Sequence, residues 1–149
     1  MTLRTYDATV LNSIAADPTV AESMGWDGGE PMTFDKFAAD PVHFILMDNG
    51  VDAGTIFEWR GPRIWEVHTM SLPSCRGENV FKVGLAIWRE MFRDHADIIW
   101  TQCPISNLPA RGISRKIGGR SMGFGESHLV GQVEYFRFDR DDWLARFGE

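Results

Sequence analysis

The chain has 149 residues, of which 44% are apolar, and carries a formal net charge of −6. This length and apolar content fit one folded domain over residues 1–149 and exclude a disordered chain. The negative sum disfavours a nonspecific nucleic-acid binder, and no apolar run reaches the roughly 18–20 residues of a membrane-spanning helix.

The charge is uneven along the chain. Residues 1–60 hold ten acids against three bases, whereas residues 61–149 hold eleven acids against twelve bases. Four bases, Arg111, Arg115, Lys116 and Arg120, stand within ten residues with no acid among them. Cys75 and Cys103 form no disulfide framework and suit a reducing compartment. With no signal-peptide pattern, a cytoplasmic protein is expected. The spacing of Cys and His fits no zinc pattern, so no metal is expected.

Taken in chain order, Asp7 can cap a helix over Ala8–Ala16 that ends at Asp17-Pro18. Thr33 can cap a further turn through Ala39. Strands are predicted over Val42–Asp48 and Val51–Arg60, joined at Asn49-Gly50, and over Arg63–Met70 after Gly61-Pro62. Helical spacing returns with Val80, Val83, Ile87 and Met91 beside Phe81, Leu85, Trp88 and Phe92. Strand Ile98–Gln102 then completes a βαβ unit with parallel strands. A basic helix from Leu108 to Ile117 ends at Gly118-Gly119. A hairpin of Ser127–Val130 and Gln132–Phe138 and an amphipathic helix, Arg140–Phe147, close the chain. The order predicts an α/β fold: a mixed, mostly antiparallel sheet with a central βαβ unit, flanked by helices.

In such sheets ligands favour the carboxyl ends of the parallel strands. Here that place is the segment Leu72-Pro73-Ser74-Cys75-Arg76-Gly77-Glu78-Asn79-Val80. A helix start offers free N–H groups to an anion, and Arg76 adds a full charge. About thirty residues on comes Asn107-Leu108-Pro109-Ala110-Arg111, whose helix carries Ile113 and Lys116 and ends at Gly118.

Together the two segments resemble the GNAT superfamily of acyl-CoA N-acyltransferases. Arg76-Gly77 resembles its pyrophosphate loop, and Asn107, Ala110, Ile113, Lys116 and Gly118 resemble its later asparagine–x–x–alanine helix. The run Trp65-Glu66-Val67-His68-Thr69 before Leu72-Pro73 is most similar to compact members encoded by phages and prophages. The resemblance implies acetyl-CoA as cosubstrate. Its pantetheine arm would pair with the backbone near Met70 and Leu72. Its pyrophosphate would sit against the N–H groups of Arg76, Gly77, Glu78, Asn79 and Val80, with Asn107 and Ala110 on the other side. The implied reaction is attack of a neutral amine, from a small molecule or a peptide, on the thioester.

Glu66 and His68 share one face of the central strand with Met70, while Trp65, Val67 and Thr69 share the other. Glu66 and His68 are the candidate base, since a carboxylate and a group titrating near neutrality can take the amine's proton. His43 and Glu58 are weaker candidates on neighbouring strands. His95 and His128 are expected in solvent and most Trp in the core, with Trp26 and Trp59 available to line an acceptor cleft. The sequence departs from the family at Asn79 and Phe81 in the loop, at Ser114 where the family carries a tyrosine acid, and at Gly119. Those departures support an alternative: a non-catalytic GNAT-fold module, a phage virion component or homo-oligomer. On the acyltransferase reading, the acidic first part favours a cationic acceptor and the basic segment faces the nucleotide end of CoA.

Overall fold

The computed structural model describes residues 3–24, 30 and 32–148. One seven-stranded sheet runs through them in the order β1-β2-β3-β4-β5-β7-β6. The strands are β1 (Arg4–Thr5), β2 (Phe44–Asp48), β3 (Ala53–Gly61), β4 (Ile64–Ser71), β5 (Ile98–Pro104), β6 (Arg120–Ser127) and β7 (Gly131–Asp139). The helices are α1 (Thr9–Ala15), α2 (Pro18–Ser23), α3 (Asp35–Ala38), α4 (Glu78–Asp94), α5 (Leu108–Lys116) and α6 (Arg140–Phe147). Every neighbouring pair of strands is antiparallel except β4 and β5, which are parallel, as the βαβ reading requires. No helix among the described residues is long and apolar enough to cross a membrane.

Alternation along β4 divides the interior into two cores. Trp65 and Val67 face one layer, built with Ile87, Trp88, Met91 and Phe92 of α4, Phe136 and Phe138 of β7 and Trp143 of α6. Met70 faces the other, with Leu46, Ile56 and the apolar residues of α1 and α2. Each fully covered side chain of α4 in the first layer contributes roughly 1.5–3 kcal/mol of burial free energy.

Several expectations are corrected by local chemistry. Asp17-Pro18 ends α1 as expected and in addition opens a second helix, α2. The Asp17 carboxylate accepts from the Thr19 N–H (2.9 Å) and Pro18 opens α2. The turn after β2 spans residues 49–52, because Asn49 Oδ1 accepts from the N–H groups of Val51, Asp52 and Ala53. The last hairpin begins seven residues earlier than predicted, with residues 128–130 as its turn. Gly123 and Gly125 disguise β6 as loop. Gly123 (φ +99°) lies in a bulge, and a side chain at 125 would strike the Tyr135 ring. His95 is half-buried at the end of α4, where burial lowers its pKa.

Three bases of the basic segment are paired with carboxylates of the chain itself, which reduces the charge it can offer to a nucleotide. Glu134 of β7 is 1% exposed. It accepts from Arg111 Nε (2.8 Å), from Arg115 Nη2 (2.6 Å) and from the Ser121 hydroxyl (2.7 Å). Arg120 pairs with Asp139 at 3.4 Å. Lys116 alone of the four stands at the first turn of α4, 4.5 Å over the Phe81 ring.

Burial opposes the charge on Glu134, but Ser121 and the two guanidinium groups outweigh it and hold its pKa below the usual 4.5. The folded protein thus keeps Glu134 ionised where the unfolded chain takes up a proton. Its contribution is complete above pH 4.5 and is lost as pH falls through the folded-state value. Glu134→Gln should lower stability at pH 7 by about 2–3 kcal/mol and flatten the acid limb of a stability–pH curve measured by urea unfolding.

Candidate active site

Strands β4 and β5 pair over only three residue pairs, Ile64↔Ile98, Trp65↔Ile99 and Glu66↔Trp100. Beyond Glu66 they part. β4 stays paired to β3 as far as Ser71, and β5 to β7 as far as Pro104. The Thr101 hydroxyl donates to the Val67 carbonyl (2.9 Å) at the fork. Backbone groups alternate between the two edges of a strand. Val67 points to β5, and the Leu72 N–H points the other way, to Asp52 O (2.8 Å). By this alternation the backbone of Thr69 and Ser71 faces the opening, whereas that of Met70 and Leu72, the positions that sequence singles out, faces away from it.

Glu66 and His68 lie at this fork, on the face of the sheet that carries Met70. Glu66 is 2% exposed. Its Oε1 accepts from Arg60 Nε (2.9 Å) and Nη2 (2.7 Å), and Gln102 Nε2 lies 3.3 Å from its Oε2. Glu58 sits directly across from Glu66 in the β3–β4 register and shares Arg60 Nη2 at 2.9 Å. Two carboxylates side by side would repel, and the guanidinium bridging them removes that cost. Arg60 is the extra residue of a bulge, since Trp59 pairs with Trp65 and Gly61 with Ile64. His68 Nε2 lies 3.4 Å from Glu66 Oε2 and 3.6 Å from Glu58 Oε2. Those separations exceed an ordinary N–H···O bond, so the nitrogen is committed to neither oxygen.

The donor set of Glu58, Glu66 and His68 converges within 4.8 Å. A divalent ion there would face the Arg60 guanidinium at close range and bring the cluster to a net positive charge, so the arrangement fits a monocation better. His43 is elsewhere, paired with Asp40 at 3.0 Å and set edge-on against Trp59. Trp26 lies outside the described residues.

At the end of the fork, Arg76, Gly77, Glu78 and Asn79 are exposed and Val80 is half-buried. Gly77 is the N-cap of α4 with φ +67° and ψ −129°, and no side chain caps the helix. That backbone is open to glycine and leaves the first N–H groups bare of a capping side chain. Phe81 does not block them, because it packs against the core beneath α4. Asn107 caps α5 by accepting from the Ala110 N–H (3.2 Å), and Ala110 packs against the same core. Ser114 is buried, donating to the Ala110 carbonyl (2.9 Å), so it supplies no acid to the fork. Gly119 is fixed by packing, since a Cβ there would meet Ser114 O at 2.7 Å. Burial raises the thiol pKa of both Cys75 and Cys103, which fits neither to a nucleophile's task.

Arg60, Gln102 and Trp100 are the parts of the site that sequence reading missed. Arg60 follows Glu58 at the two-residue spacing of a shared strand face, which was the available signal. The bulge that aims it at Glu66 leaves no mark of its own.

No family model matches the sequence, and no curated protein matches it. Solved structures do match its fold. The aminoglycoside acetyltransferase AAC(6')-Ib in complex with coenzyme A aligns with a TM-score of 0.71 at 17% identity, over 98% of this chain and 96% of that one. A probable GNAT-family acetyltransferase from Chromobacterium violaceum aligns at 0.69 and 14% identity, over 91% and 82%. A spermidine N-acetyltransferase SpeG variant from Vibrio cholerae aligns at 0.64 and 12% identity, over 76% and 75%. The chain therefore has the GNAT acetyltransferase fold.

The Arg60 bridge yields a contrast in stability. Arg60→Gln strips a buried carboxylate of its cation and should cost about 2 kcal/mol in urea unfolding. Arg63→Gln removes an exposed pair with Asp97 and a long 3.5 Å bond to the Ala96 carbonyl, and should cost about 0–1 kcal/mol.

Proposed function

We propose that the protein is an N-acetyltransferase that moves an acetyl group from acetyl-CoA to an amine. The observation that carries this reading is the position of Glu66 and His68: Glu66 is the last residue of β4 paired to β5, and His68 is the next residue on that face, where the strands have parted. Sheet hydrogen bonding left open at Thr69 and Ser71 suits an extended amide-bearing arm. The uncapped start of α4 and the charge of Arg76 suit a pyrophosphate. Acetyl-CoA supplies the thioester; the chain's own groups supply alignment and proton transfer.

His68 Nε2 is the atom that takes the amine's proton. Its side chain is 41% exposed, so it is within reach of a substrate, and a carboxylate oxygen of Glu66 and one of Glu58 lie 3.4 and 3.6 Å from that nitrogen. Glu66, held on Arg60 through its other oxygen, stands beside the ring as a fixed negative charge and is not itself the proton acceptor. The departing thiolate needs one proton, and the imidazolium holds it, so the buried Ser114 leaves no step unserved. The alternative of a non-catalytic module drew on Phe81, Asn79, Ser114 and Gly119. Packing accounts for Phe81 and Gly119 without reference to a lost activity.

Calorimetric titration with acetyl-CoA should show saturable binding, weakened about fivefold by Arg76→Ala. Absence of heat at millimolar acetyl-CoA would remove the transferase reading. His68→Gln should lower kcat about 100-fold with acetyl-CoA affinity unchanged. Equal turnover by the variant would move the proton transfer to another group.

A further inference from the structure

Next to the fork the sheet carries an apolar depression that no helix covers among the described residues. It is lined by Ile64, Ile98, Trp100, Met122, Tyr135 and Arg137. It lies on the same face of the sheet as the cluster of Glu58, Glu66 and His68. Trp100 is the register partner of Glu66, and Gln102, which touches Glu66, is the register partner of Tyr135. The Trp100 and Tyr135 rings lie 6.3 Å apart, and Gly125 leaves the space in which the Tyr135 ring rests on β6. Met122 is 54% exposed at the rim.

Charge and shape fix what fits. At the cluster two carboxylates face one guanidinium, so with His68 neutral a single negative charge is in excess. Three acceptor atoms, Glu58 Oε2, Glu66 Oε2 and His68 Nε2, lie within 4.8 Å of one another. A primary ammonium has three donors and matches that triangle. Along the depression the chemistry changes. The walls are rings and aliphatic side chains, and the one charged lining group is Arg137, held on Asp139 at 2.8 Å. A second ammonium lying within the depression would meet apolar surface and a guanidinium, and the acidic surface of Asp97, Asp139, Asp141 and Asp142 begins only beyond Ile98.

Building on the transferase reading above, we propose that the acceptor is a primary monoamine with a flat apolar body. Its nitrogen sits among Glu58, Glu66 and His68, and its body lies over Ile64, Trp100 and Tyr135. The depression itself favours an apolar body over a second cation.

The test measures amine binding by calorimetry on the purified chain without acetyl-CoA, using 2-phenylethylamine, butylamine and spermidine. The expected order is 2-phenylethylamine about tenfold tighter than butylamine, with spermidine no tighter than butylamine. Trp100→Ala should abolish the preference for the ring. Met122→Ser, at an exposed position that does not threaten folding, should weaken 2-phenylethylamine about twofold and leave butylamine unchanged. Glu58→Gln should weaken all three amines alike. Tightest binding of spermidine, equal binding of 2-phenylethylamine and butylamine, or no amine binding at millimolar concentration would overturn the proposal. Amine binding with no acetyl-CoA binding would instead defeat the transferase reading and leave this site standing.

Discussion

Three residue pairs join β4 to β5, and then the strands separate. Every other feature of the candidate site depends on that early end to the pairing. Each strand is held on its outer side for its full length, β4 by β3 and β5 by β7, so the gap opens only between them. An unpaired strand edge inside a protein is costly unless something satisfies it. Here the Thr101 hydroxyl satisfies the first free carbonyl. The next backbone groups, and then the bare start of α4, line a path that leads out to Arg76. The polar cluster stands at the inner end of this path, and the uncapped helix start with Arg76 stands at its outer end.

Electrostatics are arranged in two separate clusters with opposite sums. On one face of the sheet a single buried carboxylate, Glu134, gathers Arg111 and Arg115 and ties α5 to the last hairpin. On the other face two carboxylates gather one arginine, which leaves an excess of negative charge beside the fork. The net −6 of the whole chain therefore says little about either place. A run of four bases looks like a docking surface for an anion until the fold shows that two of them are spent inside on one carboxylate. Glu134 lies nineteen or more positions from either arginine in sequence, and only the hairpin brings it under α5.

The legible parts of the fold are those in which local pattern and tertiary need agree. The wide apolar face of α4 forms as its spacing predicts, because the sheet it covers demands that face. The parallel pairing of β4 and β5 follows from a helix between two strands. The alternation of Glu66, His68 and Met70 against Trp65 and Val67 is likewise a local fact that the sheet preserves. The hairpin was harder: β6 is an edge strand with one partner, a bulge and two glycines, so its sequence carries little of the apolar alternation that marks a strand. Arg60 was hidden for a related reason, since a bulge changes register without changing composition.

By itself, the sequence determined the element order from β2 to α6, the face on which Glu66 and His68 lie, and the glycine at the start of α4. These depend on chain alternation and backbone conformation, which act over a few residues. The tertiary structure alone decided which charges are free. Arg60 becomes the partner of two carboxylates, Arg111 and Arg115 become internal ties, and Trp100 becomes part of an open face in place of the core. Ion pairing and solvent exposure depend on neighbours from distant strands, and those neighbours are set by register and crossover.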